Sequence, residues 1–194
     1  MRQVSIELVF ASAHSYGVLR LMENAETTIP IADGLAKFQG LYINEAGTYK
    51  ARFTTLISLP GGSSCDSTPF TIGVGTPDDL VIVTEPSEGK VSGGRAFSHQ
   101  PRIEIIDAGG NLLVDDFSSL VMVSLYSNPS GGVLSPDSNV YAEAHGGVAQ
   151  FKSLSIDKAG IGFRLTYTLF LRDINQYVRV PVEKLGESGK NMTI

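Results

Sequence analysis

Short runs in which apolar and polar residues alternate recur along the whole chain. Alternation bounded by Gly, Pro, Asn or Asp is typical of half-buried β-strands. The clearest runs are residues 4–10, 80–83, 101–107, 121–125, 140–144, 163–167 and 178–180. Residues 19–26 are the one stretch that could form a helix, but it is short and we interpret it as strand and loop. Strands that recur about every ten residues predict an all-β sandwich or barrel.

The sequence also repeats itself. Residues 34–47 read GLAKFQGLYINEAG, and residues 147–160 read GVAQFKSLSIDKAG, at an offset of 113 without a gap. Residues 49–53 match 163–167 after one added residue, and residues 4–10 resemble 121–126. A period of this length suits a β-sandwich domain and is too long for a helical solenoid unit. We therefore expect three pairs of positions to be buried alike in the two copies: Phe38 and Phe151, Leu41 and Leu154, Ile43 and Ile156.

The first copy lacks a counterpart of the first two predicted strands of the second copy. Residues 79–120 supply two strands to the second copy, and nothing in the first copy corresponds to them. Without that cover, Ile6, Leu8 and Phe10 would lose contacts, and the first copy would be the less stable one. We predict tandem immunoglobulin-like β-sandwiches, with residues 73–77 as the candidate linker. Their predicted ranges are 1–75, which is incomplete at its N-terminus and lacks its first strands, 76–184, which is complete, and a polar tail over 185–194.

A resemblance to a known family rests on residues 67–111. They read STPFTIGVGTPDDLVIVTEPS, then GGRAF, QPRIEIID and AGGN. This stretch resembles the junction between bacterial-type immunoglobulin-like (Big/invasin-like) repeats of large extracellular proteins. The second copy departs from that pattern because it lacks a clear Pro-Phe closing strand. The resemblance implies a structural spacer or adhesion module of a larger surface protein, with neighbouring immunoglobulin-like repeats of the same chain as its partners.

Composition narrows the functional classes. The formal net charge is −5, whereas a nucleic-acid binder needs a basic face to neutralise phosphates. Cys65 is the only cysteine and Trp is absent, which excludes an intrachain disulfide and the antibody-type Cys-Trp-Cys core. No apolar run is long enough for a signal peptide or a membrane span. We expect no nucleic-acid partner, no membrane insertion by this segment, and an extracellular or cell-surface location only as part of a larger protein.

Two groups of residues could carry chemistry. One surrounds a single turn and consists of Asp107, Asn111, Asp115 and Asp116. Their hard oxygen atoms could hold Ca²⁺, but we favour a hairpin turn built by side-chain hydrogen bonds and positive φ. The other group, His14, His99 and His145, does not follow the spacing of a zinc site. No nucleophile elbow or acid–base pair is present in the sequence, so we expect neither a cofactor nor catalysis.

The leading function is therefore that of a non-catalytic spacer or adhesion module in a tandem array. The alternative is a carbohydrate- or protein-binding module, which would need exposed aromatic side chains on one sheet face. Four tyrosines are candidates for that platform: Tyr42, Tyr126, Tyr141 and Tyr177. Asn191 begins a formal glycosylation sequon, which points only weakly to an extracellular location.

Overall fold

The computed structural model describes residues 2–10, 19–21, 24–57, 60–86, 93–134, 139–171, 176–179 and 192–193. Every regular element in these ranges is a β-strand, and every pairing between strands is antiparallel. The all-β prediction is therefore confirmed for this part of the chain. The chain forms two compact units. Unit 1 comprises Met1–Gly75 and Ala108–Asn111, and unit 2 comprises Thr76–Asp107 and Leu112–Ile194.

Unit 1 is built from short strands around two longer ones. Its strands are Gln3–Phe10 (β1), Leu19–Leu21 (β2), Thr28–Pro30 (β3), Leu41–Ile43 (β4), Gly47–Thr55 (β5), Ser64–Asp66 (β6) and Phe70–Ile72 (β7). The main sheet has the order β3-β1-β5-β6, and β7 also pairs with β5. β6 and β7 form one broken edge strand, interrupted at Pro69, which has no N–H to donate to a ladder. β2 and β4 pair separately.

Few apolar side chains in the described part of unit 1 are buried. Tyr49, whose hydroxyl donates to the carbonyl of Glu45 at 2.9 Å, is the one fully buried large apolar side chain among its described residues. Phe10 remains 53% exposed. Phe38, Leu41 and Ile43 are only half-buried.

The prediction that paired positions are buried alike is therefore wrong. Phe151, Leu154 and Ile156 in unit 2 are at most 1% exposed, whereas their counterparts in unit 1 keep part of their surface in solvent. Burial depends on what covers a side chain, and the covering strands of unit 2 lie in a stretch that the repeat does not reach.

Unit 2 contains the remaining strands. They are Pro77–Thr84 (β8), Arg102–Asp107 (β9), Leu120–Ser127 (β10), Tyr141–His145 (β11), Val148–Gln150 (β12), Ile161–Leu171 (β13), Gln176–Arg179 (β14) and Met192–Thr193 (β15). β15 lies within the predicted polar tail and pairs with β13. The candidate linker is shorter than predicted, because Pro77 already belongs to β8.

The strands of unit 2 form one continuous ladder in the order β14-β13-β10-β11-β12-β9-β8. β11 joins the two halves of this ladder. Its residues Tyr141 to Glu143 pair with β10, and its last two residues, Ala144 and His145, pair with β12. Inward residues from both halves of this ladder meet in a single core.

That core explains why these segments form strands. Alternate residues point inward and are fully buried, including Ile103 and Ile105 on β9, Val121 and Val123 on β10, and Phe163 on β13. Burial of each such side chain stabilises the fold by about 1.5–3 kcal/mol relative to exposure. The period-2 pattern in the sequence is the imprint of this one-sided burial.

The Gln-Pro pair before β9 has a definite structural role. The Gln100 side-chain amide donates to the carbonyl of Phe97 at 2.8 Å and, at 3.2 Å, to that of Leu154. Its Oε1 accepts a hydrogen bond from the Leu154 N–H at 2.8 Å. One side chain thus satisfies backbone groups next to the core, where an unpaired polar group would cost about 1–3 kcal/mol.

Candidate functional site

The turn after β9 uses its polar side chains for structure. Gly110 adopts a φ of 85°, and the chain folds back so that the Leu113 N–H donates to the carbonyl of Ile105. The side-chain amide of Asn111, which belongs to unit 1, donates to the carbonyl of Asn44 at 2.7 Å. Its Oδ1 accepts from the Ala46 N–H at 2.9 Å. Asn111 is thus engaged with backbone groups of the 44–46 turn.

The aspartates around this turn are separated by environment. Asp107 is 5% exposed at the end of β9, and Asp115 is exposed. Asp116 Oδ1 accepts hydrogen bonds from the backbone N–H groups of Ser118 and Ser119 at 3.1 and 3.0 Å, which caps the following turn. Within the described residues no group of three or more His, Cys, Asp or Glu side chains is arranged to hold a metal ion.

Tyr126 and Tyr141, the two candidate tyrosines of unit 2 whose side chains the structure describes, do not form one platform. Tyr42 in unit 1 and Tyr126 and Tyr141 in unit 2 are each 42–55% exposed. Tyr141 lies opposite Met122 on β10, and Tyr126 is four residues farther along that strand, or roughly 13 Å at ~3.3 Å per residue. His14, Asn191 and the side chain of Tyr177 lie outside the residues that the structure describes. Among the described tyrosines, Tyr141 is therefore a single exposed ring and not a member of an aromatic row.

Tyr141 lines a shallow groove on the outer face of the β11–β12 hairpin. The groove encloses about 370 Å³. It is lined by the outward residues of both strands and their flanks: Asn139, Tyr141, Glu143, His145, Val148, Gln150 and Lys152. The residues on β11 alternate with the buried Ala142 and Ala144. The sequence indicated Tyr141 and His145 as separate candidates and did not indicate the other residues of the groove. The alternation along β11 was the signal that could have placed Tyr141, Glu143 and His145 on one face of the strand.

Part of the polar lining of this groove is already occupied. The Gln150 amide nitrogen donates to three backbone carbonyls, of which that of Pro101 is at 3.0 Å. The Oδ1 of Asn139 accepts from the Tyr141 N–H. The exposed Tyr141 ring, the His145 imidazole and the Lys152 ammonium remain directed toward solvent. Such a set can stack on an apolar face of a ligand and donate hydrogen bonds around it.

Cys65 is exposed and lies in strand β6, not in the Gly/Ser-rich loop that precedes it. Its neighbour Asp66 forms a bidentate ion pair with Arg52, with contacts of 2.7 and 3.0 Å. The Arg52 hydrogen bond lowers the pKa of the Asp66 carboxyl. The pair lies on the surface, where such bridges contribute little to stability.

His99 is likewise exposed, beside Thr84 and Pro86 at the end of β8. In the described ranges, the structure contains no helix of the length and apolar character required to cross a membrane. A comparison with protein-family models finds no match to this chain, and a comparison with curated proteins finds none either.

Proposed function

We propose that the chain consists of two immunoglobulin-like β-sandwich repeats of a longer array, and that it acts as a non-catalytic spacer or adhesion module at a cell surface. The strand order of unit 2 supports the sandwich assignment. One half of the ladder has the spatial order β8-β9-β12-β11, which corresponds to the strand order A-B-E-D of an immunoglobulin constant-type domain. The other half has the spatial order β10-β13-β14, which corresponds to the order C-F-G of the second sheet of that domain.

The observation that carries the repeat is the agreement of registers between the units. In unit 1, Ile6 pairs with Phe53 on β1 and β5, and in unit 2 Val123 pairs with Tyr167 on β10 and β13. The next ladder agrees as well. β3 meets β1 through Ile29 and Val4, and its counterpart β11 meets β10 through Ala142 and Val121. Independent folds have no reason to share register in two ladders.

Smaller features agree between the two units as well. The Phe38 and Phe53 rings lie 5.8 Å apart at 45°, and the Phe151 and Tyr167 rings lie 5.8 Å apart at 51°. The bridge between Leu134 and Ile156 in unit 2 corresponds to the β2–β4 pairing that joins Leu19 and Ile43. These agreements support duplication of one β-sandwich unit.

A spacer role follows from the physics of such arrays. Each repeat contains its own sheet ladder, so units can be added in line to project a binding end away from a surface. The surface location itself rests on the resemblance to repeats of extracellular proteins.

Single-molecule stretching of the whole chain tests the spacer role. We expect unit 2 to unfold in one discrete event that releases roughly 350 Å of chain, for about one hundred residues at ~3.5 Å each. A module that bears load resists up to that event. Smooth extension of unit 2 without a force peak would contradict the proposal.

A second candidate, carbohydrate binding, is favoured by the groove beside Tyr141. A groove that presents an exposed ring, an imidazole and an ammonium group along one face suits the apolar face and hydroxyl groups of a sugar. A glycan-array screen with the intact chain tests it, with Tyr141→Ala as the groove variant and Tyr126→Ala as the matched control. Reproducible binding that only Tyr141→Ala removes would favour this function over the spacer role.

A further inference from the structure

The edge beside β5 in unit 1 and the edge beside β13 in unit 2 are broken in the same way. In unit 1, β6 pairs with residues 52–54 and β7 pairs with residues 47–49. In unit 2, β14 pairs with residues 168–171 and β15 pairs within residues 161–163. Each long strand therefore has two short antiparallel partners on one side, one toward each of its ends.

The register of β15 on β13 repeats the register of β7 on β5. Tyr49 and Phe163 are counterparts in the repeat. Tyr49 pairs with Phe70 on β7, and Phe163 pairs with Met192 on β15. β7 reads FTI, and the chain from Met192 onward reads MTI. Met192 thus takes the position of Phe70, and β15 is the closing strand of the second repeat although no Pro-Phe pair marks it.

The neighbouring pairing agrees after one inserted residue. Thr48 pairs with Thr71, and its counterpart Ile161 pairs with Thr193. The residue added in the second copy is Gly162, which has a φ of 87° and lies at the register shift between β13 and β15. Such a bulge absorbs an extra residue without changing the pairing on either side of it. The agreement therefore extends over both pairs that β15 forms.

The two ends of the chain in unit 2 lie at opposite ends of its ladder. Every pairing is antiparallel, so the strand direction reverses at each step of the order β14-β13-β10-β11-β12-β9-β8. β14 and β8 are the first and seventh strands of this order and therefore run in the same direction. β15 runs with β14, because both pair with β13. The chain thus enters at the start of β8 and reaches β15 at the other end.

Tension between these two ends acts along the strands. The hydrogen bonds of an antiparallel pair are perpendicular to the strands, so tension loads the bonds between β15 and β13 in shear. Bonds that are loaded in shear share the force and break together, whereas bonds that are peeled from one end break one at a time. A short strand can therefore resist tension in this geometry.

We infer that β15 is the load-bearing closing strand of unit 2, which stays paired with β13 until the whole unit unfolds. This inference rests on the spacer function proposed above, and it names the element through which tension enters unit 2. Without β15, the first strand held from that end is β14. Residues 180–193 would then extend under tension before unit 2 unfolds.

Pulling on unit 2 in two directions tests this inference on the full chain. One attachment point is Asp78→Cys on β8, at an exposed position. The second is either a cysteine added after Ile194 or Lys158→Cys, at an exposed position just before β13. Cys65→Ser removes the competing exposed thiol in both cases. Only attachment at the chain end places β15 in the path of the force.

A double substitution, Met192→Pro with Thr193→Pro, releases β15. Successive backbone N–H groups alternate between the two sides of a strand, and proline has none, so the pair removes whichever N–H faces β13. We expect a lower unfolding force from the chain end and an unchanged force from position 158. From the chain end, the unfolding event should also release up to about 50 Å less chain, for the residues 180–193 at ~3.5 Å each. Phe70→Pro with Thr71→Pro on β7 is the matched control, because unit 1 lies outside the path of the force.

Two results would overturn the inference. One is a force and a released length that the double substitution leaves unchanged when the chain is pulled from its end. The other is an equal loss of force in both directions, because β15 would then support the fold of unit 2 in general and not bear load. Either result, with a force peak in the unsubstituted chain, would leave the spacer role standing. Absence of that peak would contradict the spacer role and this inference together.

Discussion

Truncation of Phe151 to Ala should separate the energetics of the two units. Phe151 is 1% exposed, lies at the centre of the unit 2 core and packs against the Tyr167 ring at 5.8 Å. Its repeat counterpart, Phe38, makes a similar ring contact with Phe53 but is only half-buried. The two positions therefore carry the same aromatic side chain with a similar ring contact, and they differ in how much of that side chain is buried.

The expected loss at Phe151 combines transfer and cavity terms. Large core aromatics truncated to Ala cost about 3–5 kcal/mol, because the surrounding side chains fill the space only in part. Domain stabilities are ~5–15 kcal/mol, so this is a large share of the total. Phe38→Ala should cost only ~1–2 kcal/mol, since part of its surface is already in water and no closed cavity forms.

Urea titration followed by far-UV circular dichroism measures the overall loss of stability for each variant. Native-state hydrogen exchange assigns the loss to a unit, because amides of β13 report on unit 2 and amides of β5 report on unit 1. We expect Phe151→Ala to speed exchange in β13 and leave β5 nearly unchanged. A loss below about 1 kcal/mol for Phe151→Ala, against the usual range for buried aromatics, would show that Phe151 is not a core residue.

Three further predictions follow from the same burial pattern. In the wild-type chain, amides of β1 and β5 should exchange faster than those of β10 and β13; equal and strong protection in a proven monomer would mean that unit 1 closes a core by another route. The buried hydroxyl of Tyr167 has no hydrogen-bond partner among the residues that the structure describes, so Tyr167→Phe should raise the free energy of unfolding by about 1 kcal/mol. Burial also raises the pKa of Tyr167. The free energy of unfolding is therefore not changed by this titration below the unfolded-state pKa of about 10, and it falls as the pH rises above that value because only the unfolded state then loses the proton. The variant should lose less stability in alkaline titrations, and identical pH profiles would contradict this. Gly147→Ala should destabilise more than Gly34→Ala in thermal melts, because both have positive φ but only at Gly147 would the added Cβ lie 2.5 Å from a backbone oxygen; equal losses would show that the backbone shifts freely to admit the Cβ.

The sequence was informative wherever burial is one-sided and local. Alternation in β9, β10 and β13 marked the strands, because inward positions such as Ile103 and Val121 must be apolar while their neighbours need not be. The predicted reading of residues 19–26 as strand and loop also agrees with β2 and the irregular residues that follow it in the described ranges.

The sequence pattern could not show which side chains are buried by strands that are distant along the chain. Phe38 and Phe151 occupy matching sequence contexts, and only the presence or absence of distant strands decides their burial. The groove beside Tyr141 was missed for a related reason. Glu143 and Gln150 look like any solvent-facing residues of a strand, and nothing local indicates that two neighbouring strands bring them together.

The shared strand β11 has a consequence for how unit 2 folds. Since its first residues pair with β10 and its last with β12, neither half of the ladder can be completed without the other. The pairings it connects join residues far apart in sequence, such as Leu120 with Phe170 and Ile103 with Ala149. Closing such loops costs chain entropy before any contact is gained, so folding of unit 2 should be slow, on the order of milliseconds to seconds. Because the five residues of β11 connect both halves of the ladder, we expect unit 2 to unfold in one cooperative, two-state transition.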